Sequence, residues 1–345
     1  MDWTSLNHYL HRLELHDCPV TQSIFGTTAA AAIEAQLQAF AQHRLAAKIL
    51  TCGFAYVSVG ATFVVRLSTH EIVVMKAYGL SHGLKALRPK ALQVSFQIQR
   101  ELAETNFPCP ELLLPPQVFK DTLFVVQSYC DPGEPVAPFA PFVRQQMAAR
   151  LAQLLAHTRT RRFTDLAAWM PWLQDAPDLW PTPHNAMFDF PKTAAGAEWI
   201  DTIAAQAKQV ITTVRLPWVV GHSDWSLQNM AFYQQQLTCV FDWDSLRIGP
   251  EACFVGGTAR CFTHDWRYSR PSRPLLPAEA EAFVQDYETA RGWSFAVDEY
   301  RVLRAAMVYT IAYGARCAHA LNPEADWTFM IKGQLKEFYG RYLGS

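Results

Sequence analysis

Two short apolar runs, FVVRL (63–67) and IVVMKAY (72–78), are rich in β-branched residues and flank the polar stretch Ser68-Thr69-His70-Glu71. Runs of that kind predict two strands joined by a turn. ELLLP (111–115) and TLFVVQSY (122–129) repeat the pattern about Lys120-Asp121. Between these pairs, residues 86–105 carry a helical pattern that Pro108-Cys109-Pro110 stops, because proline removes a donor and disfavours helical geometry before it. Upstream, residues 1–20 suggest a short helix. Residues 27–48 are rich in Ala, Leu, Gln and Glu, a strong helix composition. The break Asp131-Pro132-Gly133 marks a boundary. Beyond it, residues 141–158 read as an amphipathic helix and 197–214 as another. WVVGH (218–222) reads as a short strand, and MAFY (230–233) with LTCVF (237–241) as a hairpin about Gln234-Gln235-Gln236. From about residue 251 the pattern is mostly helical, with a Pro/Ser/Arg loop at 267–277.

These elements predict an α+β fold in three stretches. Residues 1–48 form an N-terminal helical segment, 49–130 a small β-rich lobe with one central helix, and 131–345 a larger helical lobe. One small β element interrupts that helical lobe, and the carboxylates gather there. The length of 345 residues agrees with roughly two domains, or one domain with two lobes.

Composition narrows the function classes. Hydrophobic residues make up 50% of the chain and charged residues 18%, which suits a globular protein with a neutral-polar surface. The formal net charge is -1 and no basic run occurs, so nucleic acid is not expected as a partner. The eight cysteines form no Cys-x-x-Cys pair and no zinc-type cluster, which predicts free thiols in a reducing compartment. The N-terminus lacks the pattern of a secretory signal, and no apolar stretch is long enough to span a bilayer. The expectation is a soluble, cytoplasmic protein with no membrane partner.

Chemistry concentrates in HSDWSLQN (222–229) and VFDWDS (240–245). Asn229 follows Asp224 by five residues, and Asp242 follows Asn229 by thirteen. Phosphoryl transfer from a nucleotide needs such a set. One carboxylate orients the acceptor hydroxyl and takes its proton, and two oxygen ligands hold Mg²⁺ on the triphosphate. A strand before the loop and a hairpin after it would bring Asn229 and Asp242 to one metal. A lone His-x-Asp is usually a cap or a surface pair; three polar positions bracketing a hairpin are a stronger signal. Asp244 lies two residues beyond Asp242. If the strand continues, both side chains face one way, and Asp244 is either a second ligand or a loop carboxylate on backbone donors. His222 reads as a hydrogen-bonded scaffold residue. Lys76 closes an apolar strand where an unpaired ammonium is costly; a phosphate partner or snorkelling at the strand end would relieve it.

HSDWSLQN followed by VFDWDS resembles the aminoglycoside phosphotransferase and choline kinase-like superfamily, over roughly residues 50–320 in element order. The resemblance implies a two-lobed protein kinase-like fold, with a β-rich N-terminal lobe and a helical C-terminal lobe. It implies Asp224 as the catalytic base, Asn229 and Asp242 as Mg²⁺ ligands, and Lys76 on the α- and β-phosphates of ATP or GTP. The hinge of the family falls at Ser128 to Cys130, where backbone groups meet the base. Two departures stand out. Ser223 replaces the usual glycine of His-Gly-Asp. Gln93, Ser95, Phe96 and Gln97 stand where the helix glutamate that pairs with the lysine is expected, with Glu101 in a different register. The glycine loop is weak too, with Gly53 and Gly60 only in CGFAYVSVGATF.

The resemblance implies a small molecule with a hydroxyl group as acceptor, since family members act on aminoglycosides, choline, sugars, homoserine, macrolides and peptide antibiotics. Asp165, Asp175, Asp178 and Asp189, mixed with Trp169, Trp172, Trp180 and Phe188, form either an acidic and aromatic acceptor pocket or a packed helical insert. A kinase-fold nucleotide-binding protein with little turnover is the alternative function. A metal-dependent hydrolase built on His222, Asp224 and Asp242 would need more ligands than the sequence places near them.

Overall fold

A computed structural model describes residues 2–13, 19–80, 89–161, 163–174, 176–183, 187–265 and 273–344. Cys18, Asp175, the start of the 86–105 helix and most of the 267–277 loop lie outside the described residues. The chain divides into two compact units, Met1–Asp131 and Pro132–Ser345.

The first unit is built on a five-stranded antiparallel sheet: β1 (Ile49–Val57), β2 (Ala61–Leu67), β3 (Ile72–Gly79), β4 (Leu112–Phe119) and β5 (Thr122–Ser128). Their order is β1-β2-β3-β5-β4. The strand β1 precedes the two strongest apolar runs and pairs with β2 through a short Ser58–Gly60 connection, so the weak glycine loop is a hairpin. Pro115 and Pro116 fall inside β4, where the register is irregular. A strand tolerates prolines there because β4 is an edge.

Three helices, α1 (Leu6–Arg12), α2 (Pro19–Phe25) and α3 (Ala30–Arg44), share one core with the sheet. Phe40 stacks on Phe124 with centroids 4.1 Å apart. Gln38 closes a reciprocal pair with the backbone of Ile49, at 2.9 and 3.0 Å. Val73, Met75 and Ala77 of β3 belong to this core. Lys76 alternates with them and therefore projects to the opposite face. The helix α4 (Pro89–Ala103) covers that face: Gln127, the partner of Val74 in the β3–β5 register, donates to Gln99 of α4 at 2.8 Å.

The second unit is mostly helical: α5 (Pro141–Thr158), α6 (Glu198–Thr213), α7 (Glu251–Ala259), α8 (Pro277–Arg291), α9 (Val297–Leu321) and α10 (Asp326–Tyr342). Helix α9 is buried along most of its length and packs against α6, α7 and α10. Two small antiparallel pairs interrupt the helices. One joins β6 (Trp218–His222) to β9 (Leu246–Pro250), and the other joins β7 (Met230–Tyr233) to β8 (Gln236–Val240). Thr158, at the end of α5, donates to and accepts from the backbone of Val220, which fixes β6. Gly221 leaves room for α7, since a Cβ there would lie 2.5 Å from Phe254 Cγ.

A buried ion cluster holds the helices around β9. Glu251 accepts from Arg291 at 2.5 Å, from Tyr287 at 2.8 Å and from Arg159 at 2.9 Å. Burial pushes its pKa up, but these donors outweigh burial and hold the carboxyl below its ordinary range.

Candidate active site

The strand β6 delivers His222 into a buried position, and both ring nitrogens are used there. Nδ1 accepts the N–H of Asp224 at 3.2 Å, and Nε2 lies 3.1 Å from the carbonyl of Phe241, to which it donates. His222 thus ties the start of the loop to the end of β8 and leaves neither nitrogen for proton exchange with a substrate.

Asp224 is half-buried, and its carboxylate receives three side-chain donors. Ser226 Oγ lies 3.2 Å from Oδ1, while Gln228 Nε2 and Asn229 Nδ2 lie 3.1 and 2.9 Å from Oδ2. Asn229 Nδ2 also donates to the Asp224 carbonyl at 2.8 Å. Those bonds use the Asn229 Nδ2 and leave its Oδ1 turned away from Asp224, an oxygen that could serve as a neutral ligand. The Asn229 carbonyl accepts the N–H of Phe241 at 2.8 Å, which locks the loop to the strand leading into Asp242. Indole contacts anchor the loop from behind: Trp225 is buried and donates to the Met147 carbonyl at 3.1 Å.

The hairpin that returns the chain is tighter than its sequence suggests. Gln234 and Gln235 both have positive φ, 47° and 62°, and Tyr233 pairs with Gln236. This is a two-residue turn whose twist matches the strands, so Gln236 is a strand residue. Gln146 of α5 steadies it, accepting from Leu237 N–H at 2.8 Å and donating to the Gln235 carbonyl at 2.7 Å.

Asp242 has φ 65° and ψ 46°, in the left-handed region, and Trp243–Ser245 form a single 3-10 turn. The strand therefore does not continue, and the same-face argument for Asp242 and Asp244 does not apply. Left-handed backbone costs an L-residue about 1 kcal/mol, less for Asp than for branched residues. Ser245 Oγ donates to Asp242 Oδ2 at 2.6 Å and holds the carboxylate in place. Half-buried Arg247 sits within the field of both Asp244 and Asp242. Ser223, where the family glycine is expected, gives its N–H and its Oγ to the Ser245 carbonyl, at 3.0 and 2.8 Å. The structure therefore brings Asp224, Asn229 and the Asp242 turn into one hydrogen-bonded assembly.

Among the described residues, no three His, Cys, Asp or Glu side chains gather so as to hold a metal ion by themselves. One amide oxygen and one carboxylate suit Mg²⁺, which usually takes a few protein ligands and completes its shell with phosphate and water.

The residues expected on the nucleotide side, Lys76 and Ser128 to Cys130, lie in the first unit. Lys76 stands between Thr62 of β2 and Val125 of β5. The polar side chains that α4 buries are Ser95 and Gln99, and Gln99 Nε2 donates to the Pro110 carbonyl at 2.5 Å. Glu101 accepts from Gln97 at 2.8 Å. Ser128 ends β5; its N–H donates to the Glu111 carbonyl and its Oγ accepts from Glu111 N–H, both at 2.8 Å. Cys130 follows in irregular, half-buried backbone, and its thiol helps burial raise the Cys109 pKa to about 12. None of the seven described cysteines forms a disulfide.

The Trp-rich segment is a packed insert. Trp169 and Trp172 are buried, and both make ring contacts with Tyr309 of α9, as does Trp180. Trp172 Nε1 donates to Tyr309 Oη at 2.9 Å, and Trp180 Nε1 to Asp201 at 3.0 Å. Asp165 and Asp178 are exposed, and Asp189 pairs locally with Lys192 at 3.1 Å. Trp169 and Trp172 are core, and Trp180 and Phe188 are half-buried.

The segment that follows α7 was silent in the sequence. Leu227 N–H donates to the Phe262 carbonyl and Gln228 N–H to the His264 carbonyl, both at 3.0 Å. Residues 260–265 are thereby fastened along the Asp224 loop. Burial, helped by the charge of Arg260, drives the His264 pKa down to about 3.

The family model described as the phosphotransferase enzyme family matches residues 58–303, and the chain belongs to that family. Three solved structures share its fold. An amicoumacin kinase, described in complex with AMP-PNP, Ca²⁺ and Ami, has a TM-score of 0.61 at 10% identity, covering 91% of this chain and 96% of its own. A spectinomycin phosphotransferase, in complex with ADP and spectinomycin, has a TM-score of 0.53 at 12% identity, covering 89% and 93%. A choline/ethanolamine kinase family protein from Mesorhizobium loti has a TM-score of 0.52 at 14% identity, with the same coverage of 89% and 93%. The fold is therefore that of the protein kinase-like phosphotransferases. No curated protein matches the sequence. No described helix is long and apolar enough to cross a membrane.

Proposed function

We propose that this chain moves the γ-phosphoryl group of ATP, or of GTP, to a hydroxyl group of a small molecule. The observation that carries the reading is the clamp on Asp224. Ser226, Gln228 and Asn229 hold its carboxylate, and the same Asn229 amide turns its oxygen outward. In this reading Asp224 orients the acceptor hydroxyl and takes its proton as the O–P bond forms. Asn229 and Asp242 would hold Mg²⁺, which would offset the charge of the phosphates when bound. Lys76 meets the α- and β-phosphates, and backbone groups from Ser128 to Cys130 meet the base. The fold relatives described with AMP-PNP and with ADP support nucleotide binding.

A second reading, a nucleotide-binding protein with little turnover, draws support from Ser95 and Gln99 as the polar side chains that α4 buries. The presence of Asp224, Asn229 and Asp242 together favours turnover. The test is incubation with ATP, Mg²⁺ and a panel of aminoglycosides, sugars and amino alcohols, read by a mass gain of one phosphate. Phosphorylated product from wild type and none from Asp224→Asn supports transfer; nucleotide binding without product or ADP supports the second reading.

A further inference from the structure

Most of the buried or half-buried arginines of the second unit meet an answering group. Arg291 and Arg159 meet Glu251, Arg144 meets Asp286, and Arg316 meets the Phe190 carbonyl and Thr193. Arg260 is different. Its Nε is fully excluded from solvent and has no hydrogen-bond partner. No hydrogen bond or ion pair joins its guanidinium to another described residue. A cation at the end of α7 is favoured by the helix dipole, which explains the residue's presence there but leaves its buried Nε–H without a partner.

Its position is informative. Arg260 opens the segment that Leu227 and Gln228 fasten to the catalytic loop. Its Nη1 lies 3.8 Å from where a Cβ on Gly314 would stand, which puts the guanidinium beside α9. The thiol of Cys261 lies within the fields of both Arg260 and Asp224. The segment that carries this guanidinium thus borders the loop of Asp224.

We propose that Arg260 is the receptor for an oxyanion on the acceptor, a carboxylate or a phosphate ester, so that the substrate class is an anionic hydroxy compound rather than a polycation. The proposal rests on the phosphotransferase reading of the Asp224 site. The planar guanidinium offers parallel N–H donors to two oxygens of one group. Bound in this way, the anion orients the hydroxyl toward Asp224 and takes no part in the proton transfer.

The test uses the full chain with its nucleotide site filled by AMP-PNP and Mg²⁺. Inorganic phosphate and acetate are titrated at constant ionic strength, and an apparent Kd is read from the melting temperature. The expected result is that at least one anion binds wild type, and that Arg260→Gln weakens it about tenfold or more. Arg260→Lys, which keeps the charge and loses the fork, should fall between. An Arg260-dependent response to acetate assigns a carboxylate, and one to phosphate assigns a phosphate ester. Equal affinities in wild type and Arg260→Gln, or no binding of either anion, would overturn the proposal. Phosphorylation of kanamycin at equal rates by wild type and Arg260→Gln would also overturn it. Mg²⁺-dependent ATP turnover by wild type is measured on the same preparation. Its absence contradicts the phosphotransferase reading and leaves the anion titration to decide on Arg260 separately.

Discussion

The loop His222–Asn229 and the segment 260–265 run side by side, joined by two backbone hydrogen bonds, yet they treat polar groups in opposite ways. In the loop the chain answers its own charge, since Asp224 has three side-chain donors, and the turn at Asp242 does the same through Ser245. Across from it, Arg260 keeps a buried N–H with no partner. The difference teaches how such a site divides its work. In the proposed reaction, the groups that act on the acceptor are oriented before it arrives, which lowers the reorganisation needed at the transition state. In the proposed recognition, Arg260 is left for the substrate to complete.

Substitutions in the self-answered loop should have the largest effects on activity. Asp242→Ala should remove phosphotransfer to below detection, read as ADP release with Mg²⁺ present. Asp224→Asn should cost about 10³-fold in kcat, the usual scale for loss of a general base, while nucleotide still binds. Near-normal turnover by either variant would break the comparison, because the pre-oriented groups would then not be the working ones.

Next in size is the support beneath both regions. Glu251→Gln leaves Arg291 and Arg159 without their carboxylate and should destabilise folding by about 3 kcal/mol, measured by urea unfolding. The Glu251 pKa is depressed in the fold, so its contribution is present at neutral pH and is lost as pH falls below the ordinary glutamate range.

A smaller effect should come from His264. Its pKa of about 3 in the folded chain lies below the ordinary imidazole value of 6.5. The unfolded chain therefore binds the proton first, and stability falls as pH drops below 6.5. Between pH 6.5 and 5 the loss should be about 1–2 kcal/mol, and His264→Gln should flatten that part of the profile. The smallest effect is expected for Ser223→Ala. It removes one exposed hydrogen bond to the Ser245 carbonyl and should cost about 1 kcal/mol or less, seen as a small fall in melting temperature.

The site was legible in the sequence where it depends on spacing. Asp224, Asn229 and Asp242 stand at intervals fixed by one loop and one hairpin, and local structure brings such residues together. What depended on backbone angle was not legible. Nothing in VFDWDS announces the left-handed Asp242 that ends the strand, and Gln234-Gln235 lacks the Asn-Gly signal of a two-residue turn. The strand β1 hid because its glycine and polar residues weaken the apolar run. The Trp-rich segment stayed ambiguous because only its packing against Tyr309 distinguishes core from pocket. Ser226 and Gln228 lay inside the motif, and their contact with Asp224 needed the 3-10 turn at Leu227–Asn229 to become visible. Arg260 gave no signal, because its isolation is a property of three dimensions.

The central claim is that Asp224 performs the transfer and is not needed for nucleotide binding. The most direct measurement pairs AMP-PNP affinity with Mg²⁺-dependent ADP formation in wild type and Asp224→Asn. Equal affinities are expected, with ADP formation lost in the variant. Equal rates of ADP formation in both proteins would contradict the claim.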